Sequence, residues 1–280
     1  MELENHGGDD VDKPIISIEH LNFKYEEKEI FKDFSINFDC GTFNTIIGMN
    51  GSGKTTLAKI LCGLLKYEGY INIDSYSLGE FHLKEIRRLM GIAFDNASNY
   101  FIFETVRNEL AFSLENLQYT KEEIAEKIKE ISHLFYLGKI LDKKVEDLNN
   151  NEKQRLMIAC ALIHEPKILI LDEALSNLPK KERKDILKIS KKYQKTKNLT
   201  IIMITHYIED SLFSDRLIVL NKGKIYLDGK TLDVLEEEKK LSRLGIDLPF
   251  MIELSINLKL YNLIDKNYIN MDEMIDAIWK

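Results

Sequence analysis

An α/β fold built around a phosphate-binding loop is predicted by three stretches of the sequence. The first is a short apolar run, 45–47, which leads into a glycine-rich loop, Gly48–Thr56, and then into an apolar helical pattern. The other two, 167–173 and 200–206, are largely apolar runs typical of strands buried on both faces. Strand, glycine loop and helix in this order supply the context that the pattern GxxxxGK[ST] requires. We therefore predict a P-loop α/β core.

The loop contains the residue types that hold a triphosphate. Its glycines let consecutive backbone N–H groups curl around phosphates, and the following helix N-terminus adds positive partial charge. Lys54 would reach the β- and γ-phosphates, and the Thr55 hydroxyl would hold Mg²⁺. The alternative is a glycine-rich turn with a chance lysine, and such a match arises in roughly one chain in a hundred of this length. The predicted ATP-binding residues are Gly48, Met49, Asn50, Gly51, Ser52, Gly53, Lys54, Thr55 and Thr56.

Composition limits the class of protein. With 280 residues the chain can form one large α/β domain and an appendage, and its net charge of −7 argues against nucleic acid as a partner. The three cysteines, Cys40, Cys62 and Cys160, are odd in number and far apart in the sequence, so they fit neither a metal site nor a disulfide framework. We interpret them as small apolar residues in a reducing cytoplasm. Residues 1–13 are expected to be a disordered acidic leader. No apolar run approaches the ~18 residues of a membrane span, so any membrane role would be peripheral.

Short alternating runs predict an antiparallel sheet beside the nucleotide, with strands at 16–18, 21–25 and 34–38. Tyr25 could stack on a base, although on spacing alone sheet packing is its more common role. Two further elements follow, a hairpin at 67–80 and a strand at 89–93.

Helices are predicted between the core strands and after them. From about 104 to 141 the sequence is helical and charged, with a capping pattern at Thr120–Glu123, which predicts a helical insertion. A lysine-rich helix is predicted at 180–197 and a hairpin at 217–227.

The sequence after about residue 232 predicts a separate appendage. Helices are expected to begin at Asp247–Pro249 and, through a second capping box, at Asn270–Glu273. Two short helices bury little by themselves, so we expect the appendage to pack on the core or on a partner. One face of the first helix carries Phe250, Leu254, Leu258 and Tyr261.

Two buried strands end in residues suited to triphosphate hydrolysis. Asp172 would hold the Mg²⁺ shell through water, and Glu173 would polarise the attacking water. An acidic pair in this position could instead be a helix cap. His206 could contact the γ-phosphate, although a lone histidine at a strand end is more often an ordinary satisfied side chain.

Over residues 15–230 the order of motifs resembles the ATP-binding-cassette (ABC) ATPases. The matching motifs are Tyr25, Gly48–Thr56, Leu148–Arg155, Ile168–Glu173, Ser176–Leu178 and His206. The resemblance implies a P-loop NTPase cassette in which a RecA-like core carries an antiparallel β subdomain and a helical insertion. It implies a nucleotide-binding domain at 14–232, with the helical subdomain at about 104–165.

The tail and the region around the family's glutamine loop resemble a narrower group, the ATPase subunits of energy-coupling-factor (ECF) transporters. These transporters are bacterial and archaeal importers of vitamins and transition metals. The similar segments are 245–250, 253–255, 274–280, 94–101 and 105–112. The resemblance implies that residues 233–280 form a small helical extension for dimerisation.

The resemblance also assigns roles by position. It implies that Tyr25 stacks on adenine, that Asn50–Thr56 hold the phosphates, that Thr55 and Asp172 organise Mg²⁺, that Glu173 is the general base and that His206 senses the γ-phosphate. Two cassettes of this family close head to tail. Each ATP then lies between one subunit's phosphate loop and the signature motif of the other.

The signature motif departs from the family pattern. In place of Leu-Ser-Gly-Gly-Gln the chain has Leu-Asn-Asn-Asn-Glu at 148–152. Asn149 could replace the serine hydroxyl, but Asn150 and Asn151 add bulk and lack the freedom of glycine at positive φ. Glu152 adds negative charge beside a phosphate. These changes affect the partner's ATP site.

Two further departures lie near the predicted metal site and the loop after it. Pro179 replaces the aspartate that usually follows Ser-x-Leu, which removes a carboxylate and a backbone donor serving the partner's ATP. Asp95 stands where a glutamine usually senses Mg²⁺. Asp95 could still ligate the ion, with an altered charge balance.

These observations favour an ATPase subunit of an ECF-type importer. It would work beside a second ABC ATPase subunit, docked on a membrane scaffold protein and a substrate-binding membrane subunit at the cytoplasmic face of the cell membrane. One alternative is a regulatory subunit that binds ATP and barely hydrolyses it. Another is an ABC protein without a membrane partner, which the net charge and the single phosphate loop disfavour.

Overall fold

The computed structural model describes residues 13–95 and 100–279. The predicted leader, apart from Lys13, and positions 96–99 of the segment resembling the ECF group lie outside the described residues. The strands are β1 Ile16–Tyr25, β2 Lys28–Phe38, β3 Phe43–Gly48, β4 Glu68–Ile73, β5 Tyr76–Ser77, β6 Met90–Phe94, β7 Ile168–Asp172, β8 Thr200–Ile204, β9 Arg216–Asn221 and β10 Lys224–Lys230. The helices are α1 Lys54–Leu61, α2 Leu83–Leu89, α3 Val106–Asn116, α4 Lys121–Leu134, α5 Asn150–Leu162, α6 Lys180–Lys197, α7 Thr231–Leu235, α8 Glu238–Ser242, α9 Phe250–Leu260 and α10 Met271–Ile278.

A six-stranded sheet in the order β10-β9-β3-β8-β7-β6 forms the core, which confirms the predicted α/β class. Neighbouring strands from β9 to β6 run parallel, and every residue of β7 and β8 is buried. The register pairs Ile204 with both Ile46 and Asp172. The carboxyl ends of β3, β7 and β8 therefore meet at one edge of the sheet, where the phosphate loop begins.

The predicted antiparallel sheet is present, in the order β2-β1-β4-β5. β1 and β2 are longer than predicted because bulges interrupt their alternation. Asp33 has a φ of 52°, and the register shifts between the pairs Leu21–Phe34 and Phe23–Phe31. An irregularity of this kind breaks the period of two that identifies a strand in sequence.

The helical insertion is confirmed as α3, α4 and α5, which share one apolar core with the adjacent face of the large sheet. The predicted capping box at the start of α4 is also present, since Thr120 and Glu123 exchange hydrogen bonds. Helix α6 has its predicted bounds. Of the three cysteines, which were interpreted as small apolar residues, Cys62 is buried, Cys160 is partly buried and Cys40 is exposed.

The appendage packs on the core, one of the two places expected for it, through side chains outside the apolar face noted in the sequence. Leu241 and Ile252 are buried in a cluster with Ile47 of β3. Phe250 and Tyr261, at the two ends of that apolar face of α9, lie on the outside and are 65% and 77% exposed. No helix of residues 13–95 and 100–279 is long and apolar enough to cross a membrane.

The start of α10 differs in detail from its prediction. Asn270 caps the helix, but its side chain accepts a hydrogen bond from the Asp272 N–H at 3.0 Å. The reciprocal capping box with Glu273 is therefore replaced by a simple N-cap.

Candidate nucleotide-binding site

The phosphate loop adopts a backbone that only glycine fits at two positions. Gly48 has a φ of 154° and Gly53 a φ of 106°. A Cβ on Gly48 would lie 2.1 Å from the Leu220 carbonyl oxygen, and one on Gly53 would lie 2.7 Å from the Phe31 ring. The loop is thus held between β9 and the β1–β2 hairpin, and it leads directly into the N-terminus of α1.

Lys54 supplies a positive charge inside the phosphate loop. Its Nζ donates to the carbonyl oxygens of Gly48 at 2.8 Å and Met49 at 3.2 Å, and the side chain is buried. Burial lowers the pKa of Lys54, whereas the nearby carboxylates of Glu173 and Asp172 act to raise it. An ammonium group at this position is suited to the negative charge of a phosphate.

Thr55 and Asp172 meet at the predicted metal position. The Thr55 hydroxyl donates to Asp172 Oδ1 at 3.2 Å. Burial above all, together with the charges of Glu173 and Asp95, raises the pKa of Asp172 to about 6, against the lowering effect of the Thr55 hydrogen bond. A divalent cation would favour the ionised carboxylate. A hydroxyl and a carboxylate oxygen are donors that fit Mg²⁺.

Glu173 and His206 form a pair beside the loop. His206 Nε2 lies 2.7 Å from Glu173 Oε1, and both side chains are partly exposed. Glu173 adopts a φ of 54°, and its N–H donates to the Ile204 carbonyl at 3.0 Å. Glu173 directly follows the last residue of β7, and His206 comes two residues after the last residue of β8. A carboxylate and an imidazole so placed can orient a water molecule and accept its proton.

Tyr25 is the last residue of β1, in the same β1–β2 hairpin that contacts the phosphate loop through Phe31. Its ring is 41% exposed and packs edge-on against Phe23 at a centroid distance of 4.8 Å. The exposed face is free to stack on a planar group. The sheet-packing role and the base-stacking role are therefore compatible.

Asn149 and Glu152 occupy the N-terminus of α5, where they form a capping box. Asn149 Oδ1 accepts from the Glu152 N–H, and Glu152 Oε2 accepts from the Asn149 N–H, both at 3.0 Å. Asn150 is exposed and Asn151 is partly buried. The sequence pattern Asn-x-x-Glu could have predicted this box. The carboxylate of Glu152 is thus held at the positive end of its own helix.

Asp95 is exposed just after the end of β6, where the backbone of Phe94 and Asp95 accepts hydrogen bonds from two other segments. The Asp95 carbonyl accepts from Asn177 Nδ2 at 3.0 Å. The preceding Phe94 carbonyl accepts from Gln154 Nε2 at 2.8 Å, and Gln154 is buried in α5. Sequence reasoning missed Gln154, because nothing local marks a glutamine two residues after the signature as a contact of β6.

A cleft of about 550 Å³ borders the phosphate loop and was not predicted. Its walls include Met49 and Asn50, the segment 205–209 and residues 244–248 of the appendage. Residues 244–248 of the appendage therefore lie beside the phosphate loop.

The chain is similar to known ABC proteins over most of its length. Residues 31–176 match the ABC transporter family. The energy-coupling factor transporter ATP-binding protein EcfA1 of Mycoplasma mobile is 36% identical over 275 residues, which are 97% of this chain and 99% of that protein. EcfA1 of Geobacillus kaustophilus is 33% identical over 95% of this chain and 97% of its own.

Solved structures agree with this relationship. CbiO1 of Clostridium perfringens, described as part of the ABC transporter complex cbiONQ, has a TM-score of 0.74 at 28% identity and covers 86% of this chain and 98% of its own. The bacterial ABC transporter cassette MJ0796 has a TM-score of 0.70 at 27% identity and covers 77% of this chain and 98% of its own. The phosphate loop, the acidic strand end and the relatives together identify the chain as an ATP-binding and ATP-hydrolysing ABC protein, a member of the energy-coupling factor transporter ATP-binding protein family.

Proposed function

We propose that this chain powers an ECF-type importer of a vitamin or a transition metal. The observation that carries the proposal is the similarity to EcfA1 proteins over nearly the whole chain, appendage included. The chain would work beside a second ABC ATPase subunit. A membrane scaffold protein and a substrate-binding membrane subunit would hold both at the cytoplasmic face of the cell membrane.

Each site residue has a proposed role in that work. Lys54 and the loop N–H groups bind the phosphates, and Tyr25 stacks on adenine. Bound Mg²⁺ would neutralise developing phosphate charge, with Thr55 and Asp172 to hold it. Asp95 lies close enough to Asp172 for its charge to act there, so it is proposed to adjust the same ion.

For the reaction itself, Glu173 accepts the proton of the attacking water. His206, held against Glu173, contacts the γ-phosphate and keeps the carboxylate oriented. The geometry that supports these roles is the register of β7 and β8, which brings both residues to the edge where the phosphate loop begins.

Co-purification tests the proposed assembly. The tagged chain, expressed in its native host and extracted in mild detergent, should bring down a second cassette together with membrane proteins. The control is the same extraction with an untagged chain. Recovery of the chain alone, or with soluble proteins only, would refute the membrane-transport role and favour an ABC protein without a membrane partner.

The exposed face of the appendage is proposed to join the two cassettes. Phe250, Tyr261 and Trp279 are large aromatic residues of the appendage and are 65%, 77% and 84% exposed. Deleting residues 241–280 should weaken pairing of the cassettes and spare ATP binding by the monomer, but it also removes buried Leu241 and Ile252 from the core. Substitution of exposed residues is therefore the sharper test.

Phe250→Ser combined with Tyr261→Ser should weaken cassette pairing by about tenfold, because central aromatic contacts dominate interface energies. Analytical ultracentrifugation with the partner cassette measures the pairing, and ATP titration of the isolated chain should be unchanged. Phe81→Ser is the matched control, since Phe81 is 96% exposed and lies outside the appendage. Unchanged assembly in the double variant would exclude this face as the joint.

A further inference from the structure

A buried ion pair lies beside the candidate site and belongs to none of the motifs described above. Arg183 in the first turn of α6 and Asp210 in the helical turn 208–213 are 7% and 3% exposed, with Arg183 Nε 3.2 Å from Asp210 Oδ1. Taking both charges out of water offsets much of their attraction, so such a pair contributes little net stability. The pair does, however, contact the segment that contains His206.

The acidic member of the pair fixes the chain on both sides of His206. The Thr205 hydroxyl donates to Asp210 Oδ2 at 3.4 Å and accepts from the Tyr207 N–H at 3.0 Å. The Asp210 N–H in turn donates to the Tyr207 carbonyl at 3.0 Å. Thr205 and Tyr207 are thus bonded to each other and to Asp210, and His206 is the residue between them.

The basic member holds the same segment from the other side. The guanidinium carbon of Arg183 lies 3.6 Å from the centroid of the Tyr207 ring, in cation–π contact. The Tyr207 hydroxyl donates to the Ser176 carbonyl at 3.4 Å. Ser176 opens the loop whose family counterpart serves the partner's ATP. Through Tyr207, buried Arg183 therefore contacts the segment around His206 and is connected to the loop that begins at Ser176.

We propose that Arg183 is a positioning residue for ATP hydrolysis, which keeps His206 beside Glu173 through Asp210 and Tyr207. The inference rests on the roles proposed above for Glu173 and His206. Arg183 itself is buried behind Tyr207, so its contribution is to geometry. A planar guanidinium is required because it stacks on the ring and pairs with the carboxylate at once, which a lysine ammonium does not do.

The test uses the chain assembled with its partner cassette. Arg183→Met should lower the turnover number by about tenfold or more, because misplacement of a catalytic group by about 1 Å has effects of that size. The dissociation constant for ATP should stay within about twofold, since the contacts of Arg183 with Asp210 and Tyr207 lie outside the phosphate loop. Lys184→Met is the matched control, an exposed neighbour on the same helix, and it should leave turnover unchanged.

A double-mutant cycle separates positioning from a general structural role. In a His206→Ala background, Arg183→Met should lower the residual turnover by less than about twofold, because the group that it positions is gone. A full second loss in that background would overturn the inference. Arg183→Lys should rescue little turnover, and wild-type turnover in that variant would also contradict the required stacking.

If Arg183→Met does not fold, Tyr207→Leu answers the same question. It keeps the ion pair, removes the stacking and the bond to Ser176, and alters a partly exposed side chain. The same loss of turnover is expected, and wild-type activity would overturn the proposal. If Glu173→Gln and His206→Ala leave turnover intact, the proposed site itself is wrong. If they abolish it while Arg183→Met and Tyr207→Leu do not, only the positioning role fails.

Discussion

Glu173→Gln should remove most ATP turnover of the assembled heterodimer, whereas the equivalent change in a partner cassette with a regular signature should remove little. In the proposed head-to-tail arrangement, Glu173 and His206 face the signature of the partner. The partner's phosphate loop faces Asn149–Glu152 and Pro179 of this chain. We therefore expect the first site to hydrolyse ATP and the second to bind it and turn it over slowly.

The capping box at the start of α5 gives this asymmetry a physical basis. The N-terminus of a helix attracts anions through its free N–H groups. Here Glu152 already places a carboxylate at that position, bonded to the Asn149 N–H. A γ-phosphate from the partner would meet this negative charge in place of glycine N–H groups. Loss of one donor to transition-state charge costs on the order of 10²–10³ in rate, so the second site should be nearly idle.

Steady-state hydrolysis by the reconstituted complex, with each glutamate changed separately, measures the asymmetry. Expression levels and ATP binding of the two variants provide the controls. A homodimer of this chain should be a poor enzyme, because both its sites carry the altered signature. Equal losses from the two glutamate variants, or brisk hydrolysis by this chain alone, would contradict the prediction. Little loss from Glu173→Gln would favour the regulatory alternative.

Lys54→Ala should nearly abolish ATP binding. Lys54 is the positively charged side chain of the loop, and its Nζ lies among the loop carbonyls, 2.8 Å from that of Gly48. Charge-assisted hydrogen bonds to phosphate are about twice as strong as neutral ones, so their loss should reduce affinity by roughly two orders of magnitude.

Titration of the isolated chain with a fluorescent ATP analogue measures this affinity. Lys66→Ala is the matched control, because Lys66 is exposed and forms a surface ion pair with exposed Glu80. Thermal melting without nucleotide should show that both variants are folded. Near wild-type affinity in Lys54→Ala would refute the assignment of the phosphate loop.

The features that could be predicted from the sequence are those encoded by neighbouring residues. The phosphate loop, the acidic end of β7, helix α6 and the Thr120 capping box each depend on a few consecutive positions. Local backbone preferences and short-range hydrogen bonds decide such elements, and these can be identified without tertiary contacts. The ABC class followed from the order of these motifs.

The lengths of the strands and their pairing were harder to predict from the sequence. The β1–β2 hairpin is longer than its pattern because a bulge near Asp33 shifts the alternation. Parallel register is also invisible locally, yet the pairing of Asp172 with Ile204 is what brings Glu173 to His206. The sequence supplied both residues as candidates, and their 2.7 Å contact depended on the sheet.

By itself, then, the sequence determined the nucleotide-binding class, its loop and the candidate residues for hydrolysis of a phosphate anhydride. Only the tertiary structure decided which face of α9 is buried, that Gln154 holds the end of β6, and that Arg183 and Asp210 lie behind His206. These contacts join residues 27 or more positions apart. No local periodicity encodes them, because they depend on how helices pack against a sheet whose register is set by long-range burial of apolar side chains.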